Sequence, residues 1–195
     1  MIDAVLAFLK NRLNSYLIAK EGLPADAATA NKVEFIDGEK IDPISFKPEA
    51  VTVLLINVEE EKVLRGADPF TRVLADGTQQ RVQPDIRLNL YVLFVAKFKQ
   101  YERGLGCLSS IIQFFQSNRL FTQTNAPDLE ESIEKLSLEL ITVPFNEQNE
   151  IWGSLRTTYH PSVLYKVKML LVADENAIEA GVVTEKNTEL GNKSP

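Results

Sequence analysis

Apolar positions along this chain follow two rhythms. Over residues 2–20, Ile2, Val5, Leu6, Leu9, Leu13, Tyr16 and Leu17 recur every three or four residues. That is the spacing of one face of a helix. Lys10, Asn11, Arg12 and Asn14 fall mostly on the polar side, and Gly22 with Pro24 ends the pattern. Residues 86–98 alternate instead. Ile86, Leu88, Leu90, Val92, Phe94, Ala96 and Phe98 share one face of a strand. The other face carries Tyr91, Leu93 and Val95 at its centre and Arg87, Lys97 and Lys99 at its ends. A strand apolar on both faces reads as a long central one.

The remaining elements follow from the same two periods. Residues 33–36 predict a short strand closed by the turn signal Asp37-Gly38. Residues 51–58 predict a strand covered on both sides. A turn at Asp76-Gly77 would join two short strands. A helix is expected over 101–118, with a stripe of Leu105, Leu108, Ile112 and Phe115 widened by Ile111 and Phe114. Residues 119–132 hold Phe121 and a Pro127-Asp128 turn. Residues 133–143 read as a strand with Leu136, Leu138 and Leu140 inward, stopped by Pro144. A short helix over 146–156 would take Asn146 as its N-cap and Glu147 and Glu150 in its first turn. Its apolar side is Ile151, Trp152 and Leu155. A last strand over 163–172 puts Val163, Tyr165, Val167, Met169 and Leu171 on one face.

These elements predict an α/β (α+β) fold. It is a single domain over residues 1–172, with a central mixed β-sheet flanked by helices. Beyond it, residues 173–195 lose the pattern. Five acidic residues stand against two lysines there, so a flexible acidic tail is expected.

Composition narrows the class. The 195 residues carry a net charge of -6, which argues against nucleic acid as a partner, since phosphate binding needs clustered Lys and Arg. Cys107 is the single cysteine, so no disulfide can form within the chain. The N-terminus lacks the charged segment and apolar run of a signal peptide. The most apolar stretch, 88–96, is far short of the ~20 residues of a spanning helix. Synthesis in the cytoplasm, with no insertion into a membrane, is the expectation.

Little chemistry can be assembled from what remains. His160 is the only histidine, and it precedes Pro161 in a segment that reads as a turn. Cys107 reads as a small buried hydrophobe. One Cys and one His exclude the usual zinc sites within one chain. Gly104-Leu105-Gly106 follows a strand but lacks the third glycine and the Lys-Ser/Thr pair of nucleotide-binding loops. Close packing at the helix start is the simpler reading. No cofactor is implied. Glu59, Glu61 and His160 would be the residues of a small hydrolase or transferase, the alternative reading. The run Glu59, Glu60 and Glu61 also suits an exposed strand end or a subunit contact. Arg87, Lys97 and Lys99 could meet acidic groups on another chain.

Several blocks in order resemble one family. They are Ile56-Asn57-Val58-Glu59-Glu60-Glu61, Leu88-Asn89-Leu90-Tyr91-Val92-Leu93-Phe94, Tyr101, and Leu108 through Gln116. Trp152, Tyr159, Pro161-Ser162-Val163 and Leu164 through Met169 complete the set. Together they resemble the tail-terminator, or cap, proteins of phage-tail-like contractile injection systems, over most of residues 2–172. One departure is Leu155-Arg156, where the family pattern has Leu-Gly. The resemblance implies a non-enzymatic subunit of a homo-oligomeric ring, usually hexameric. That ring ends the inner tube and anchors the last sheath layer, so the partners are tube and sheath proteins of a particle that can leave the cell. Within that reading, Glu59, Glu60, Glu61, Arg87, Lys97 and Lys99 are the expected subunit contacts. Trp152 and Tyr159 are expected to pack the last helix on the last strand. The acidic tail becomes an arm that orders on a partner, using Val182-Val183-Thr184.

Overall fold

The structure, a computed structural model, describes residues 1–20, 32–36, 44–61, 71–73, 79–81 and 87–171. The Asp37-Gly38 and Asp76-Gly77 turns, the Gly22 and Pro24 stop and the acidic tail lie outside the described residues. The elements run α1 (Ile2–Lys20), β1 (Val33–Phe35), β2 (Ala50–Glu60), β3 (Thr71–Val73), β4 (Gln79–Arg81) and β5 (Arg87–Lys97). Then come α2 (Tyr101–Ser117), β6 (Leu120–Thr122), β7 (Ile133–Ile141), α3 (Phe145–Ser154) and β8 (Ser162–Leu171).

Six strands form one sheet in the order β1-β2-β5-β8-β7-β6. β1 runs parallel to β2, and every other neighbouring pair in that sheet is antiparallel. The sheet is therefore mixed, as expected. β5 is an inner strand, paired along its length with β2 and β8. β3 and β4 pair separately as two antiparallel strands.

The two faces of β5 belong to two cores. Leu90, Val92, Phe94 and Ala96 join α1 and α2 in the larger one, with Val5, Leu9, Leu13, Ile111 and Phe115 fully buried. The Phe94, Phe115 and Tyr165 rings meet at its centre, with Phe115 4.8 Å from Tyr165. Leu93 and Val95, on the other face, pack with Leu54, Leu164, Phe46 and Trp152 of α3. This second core is smaller, because α3 covers only part of that face.

Several local expectations are corrected. Leu105 is 43% exposed, and α2 buries Gly104, Leu108, Ile111 and Phe115 instead. Those positions are spaced by four, three and four, and Leu105 lies about 100° further round the helix. Leu140 is 45% exposed because β6 pairs only with residues 135–137 of β7, leaving the end of β7 at the sheet margin. β2 is covered on both faces only over its first half, since Leu55 and residues 57–60 are exposed. Pro144, in extended conformation, precedes α3, so Asn146 lies within the helix rather than capping it. Only Glu147 falls in its first turn. Phe121, assigned to no element by the periodicity, is buried on the short strand β6. A Cβ at Gly106 would meet nothing within 4 Å, and one at Gly104 would make an ordinary 3.7 Å contact with Phe98, so close packing does not explain these glycines.

Candidate interaction surface

Where α3 stops covering the second face, the sheet turns polar in register. Asn57, Tyr91, Lys166 and Glu139 stand side by side across β2, β5, β8 and β7. The next row on this face is Glu59, Asn89, Lys168 and Ser137. Strand alternation brings these residues to one side, as it brings Leu93 and Leu164 to the same side further along. Asn57, Glu59, Tyr91, Glu139, Lys166 and Lys168 of these rows, with Glu147 and Glu150 from α3, wall an open cleft of about 800 Å³. Its floor holds Ile56, Ile141, Ile151 and Leu164.

The polar groups are tied by a few specific contacts. The Tyr91 hydroxyl donates to the Glu59 carboxylate at 2.8 Å. The Lys166 ammonium lies 5.6 Å from the Tyr91 ring centre. Lys168 pairs with Glu139 at 3.0 Å. The Lys168 contact holds the Glu139 carboxyl below its ordinary range. The hydrogen bond to Glu59, followed by burial, pushes the Tyr91 phenol up. Asn89 is buried, and its amide nitrogen donates to Glu61 at 3.1 Å.

The six residues expected as subunit contacts do not form one surface. Glu59, Glu60, Glu61 and Arg87 gather at one end of the β2–β5 pair, where the Glu61 N–H donates to the Arg87 carbonyl at 2.8 Å. Glu59 faces the cleft. Glu60, one position on, pairs with Leu88 and belongs to the opposite face. Lys97 ends β5 at the other extreme, roughly 33 Å from Arg87 at the usual rise of a strand. Lys99 follows it, and its backbone N–H donates to Glu49, which also pairs with Arg103 at 2.9 Å.

Glu59, Glu61 and His160 are likewise not assembled. Glu59 lies opposite Asn89, whereas the segment of His160 meets β5 at its far end, where the Ala96 N–H donates to Pro161. Seven residues of strand, about 23 Å, separate Asn89 from Ala96. The imidazole is half-buried, 5.6 Å from the Phe46 ring and 6.1 Å from Trp152. Burial, followed by the nearby Lys97 charge, lowers its pKa. Trp152 also meets Tyr159 at 5.4 Å, so these aromatics do pack α3 onto the segment entering β8. Cys107 packs half-buried against the larger core. Among the described residues, no group of three His, Cys, Asp or Glu side chains could hold a metal ion.

Tyr91, Glu139, Glu147, Glu150, Lys166 and Lys168 were not singled out together from the sequence. The alternation Tyr165-Lys166-Val167-Lys168-Met169 was the available signal, since it puts two lysines on the face away from the larger core.

Fold and surface define a class: one α+β domain in which α1 and α2 cover one face of a sheet, α3 covers part of the other, and charged groups line what α3 leaves open. Residues 4–185 match the model of the Pvc16 N-terminal domain, and the chain belongs to that family. No curated protein matches it. Among solved structures it is similar to the PVC sheath/tube terminator of an extracellular contractile injection system, in its extended state. The TM-score is 0.58 at 16% identity, covering 100% of this chain and 64% of that one. At that identity the likeness speaks for the fold, and this chain spans less than two thirds of the terminator's length. The tube-terminating cap of the anti-feeding prophage also matches, with TM-score 0.44, 14% identity, and coverage of 72% of this chain and 48% of that one. No helix among the described residues is long and apolar enough to cross a membrane.

Proposed function

We propose that this protein is a non-enzymatic cap of a contractile injection system, ending the inner tube and anchoring the last sheath layer. Membership of the Pvc16 N-terminal domain family over residues 4–185 carries the reading. The fold shared with a sheath/tube terminator supports it. The dispersal of Glu59, Glu61 and His160 leaves the hydrolase alternative without an assembled site.

A cap of this kind works as a closed ring, and a ring needs two different complementary surfaces on each subunit. The separation of the two charged groups along β5 suits that requirement. In this reading the acidic end at Glu60 of one copy meets the basic end at Lys97 and Lys99 of the next. Residues 173–195 act as an arm that orders on a tube or sheath subunit.

Size-exclusion chromatography with light scattering tests the ring, and electron microscopy of tubes polymerised with and without the protein tests termination. Ring-sized particles and shortened tubes are expected. Glu60→Lys and Lys99→Glu should each weaken the ring while preserving the circular dichroism spectrum. Removal of residues 174–195 should impair sheath attachment. A monomer with no effect on tube length would overturn the proposal.

A further inference from the structure

We infer that the cleft on the open half of the sheet docks a Lys- and Arg-bearing segment of a different protein; only the source of that protein, a tube or sheath subunit, rests on the cap reading.

Charge is the first argument. Glu59, Glu139, Glu147 and Glu150 line the cleft against Lys166 and Lys168. Lys168 is committed to Glu139, and Lys166 lies over the Tyr91 ring. Among the described residues, Glu59, Glu147 and Glu150 make no ion pair. A concave surface with unmatched carboxylates concentrates negative potential and draws cations.

Hydrogen-bonding capacity is the second argument, and it is independent of charge. Asn89 is 3% exposed and sits on the cleft's face of the sheet, cross-strand from Glu59 and Lys168. Its amide nitrogen is used by Glu61, but its amide oxygen accepts from nothing. Buried acceptors are normally satisfied. Asn89 itself does not line the cleft but stands between Glu59 and Lys168, which do, so this part of the sheet is one donor short. Lys and Arg side chains are donors only, so they complete it.

The floor fits the same occupant. Ile56, Ile141, Val143 and Ile151 are half-buried. The aliphatic stems of Lys and Arg pack on such surfaces while their charged ends reach polar groups. A second copy of this chain is a poorer source. Each copy carries a net charge of -6, and several of its cations are already used internally, as in Arg12–Asp128, Lys47–Glu34 and Arg103–Glu49.

The probe is a fluorescently labelled octalysine peptide, titrated into the full chain at low and physiological salt, with octaglutamate as the control. Octalysine should bind and octaglutamate should not. The exposed pair Glu147→Gln with Glu150→Gln should weaken binding about fivefold or more. Glu102→Gln with Glu131→Gln, outside the cleft, should change it less than about twofold. Equal losses in the two pairs, or no binding by the unaltered chain, would overturn the inference. Light scattering on the same variants separates the partner from a second copy. Loss of the oligomer in the Glu147/Glu150 pair alone would make the cleft a contact between copies and overturn the partner assignment. An unaltered chain that binds octalysine yet never forms a ring would count against the cap reading and leave the cleft standing.

Discussion

The Tyr91 hydroxyl reaches diagonally across the β5–β2 ladder to the Glu59 carboxylate, at 2.8 Å, rather than to Asn57, its direct cross-strand partner. That bond raises the phenol's pKa above its ordinary value of 10.0. A raised folded-state pKa contributes stability that is complete below the unfolded value and fades as pH climbs through the folded one. Tyr91→Phe should therefore cost stability at neutral pH and lose less than the parent above about pH 10. The pair is partly solvated, so the expected neutral-pH cost is only about 0.5 kcal/mol. Urea unfolding across pH measures both effects.

Tyr165 predicts a stronger alkaline effect. Its ring is buried between Phe94 and Phe115, and burial pushes its phenol up to about 12, with Arg119 pulling slightly the other way. The unfolded chain ionises first as pH rises, so stability should fall between about pH 10 and the folded value. The loss attributable to this group is on the order of 2 kcal/mol. Tyr165→Phe keeps the ring contacts and should flatten the fall. A parent-like alkaline decline in that variant would exclude Tyr165 as its source.

Arg156 has φ of 51°, immediately after Leu155 closes α3, and its backbone N–H donates to Gly153 at 3.2 Å. This left-handed turn is where the resemblance implies a glycine. A side chain there carries a steric cost that glycine avoids. Arg156→Gly should be about 0.5 kcal/mol more stable than Arg156→Ala, which removes the same side-chain contacts, after the greater chain entropy of unfolded glycine is subtracted. A urea midpoint for the glycine variant below that of the alanine variant would contradict this account.

Trp152 is 5% exposed and contacts Phe46, Tyr159 and His160. Trp152→Ala should cost about 3 kcal/mol, because α3 would lose its anchor on the sheet. It should also release His160. Burial depresses this imidazole, so its contribution is present above the ordinary value near 6.5 and fades as pH falls through the folded value. The single imidazole makes the NMR titration unambiguous: its pKa should rise in the variant, and an unmoved titration would place its desolvation elsewhere.

The long elements were legible in the chain. α1 begins and ends where its apolar spacing does, and β5 alternates as its two cores require. Such periods record directly which side faces away from water. The shared aromatic fate of Trp152 and Tyr159 was legible too, and so was the departure at Arg156. Phe121 was missed because a strand of three residues carries too short an alternation to register. Leu105 misled because it stands three residues before the buried Leu108 yet falls outside the buried stripe, and Leu140 because it is in phase with the buried Leu136 and Leu138 while β6 stops short of it.

The interaction surface depended on that same non-local information. Alternation along β8 fixes that Lys166 and Lys168 share a side, but not which strands flank them. The order β2-β5-β8-β7 sets Glu59 beside Tyr91 and Lys168 beside Glu139, and it carries Glu60 to the other face. It also sends Lys97 and His160 to the end opposite Glu59, which splits the basic group and leaves Arg87 beside the acidic run. Residue spacing encodes the face a side chain takes, because each strand's pleat is local. Strand order and register encode its neighbours, and those arise only when segments distant in the chain close on a common core.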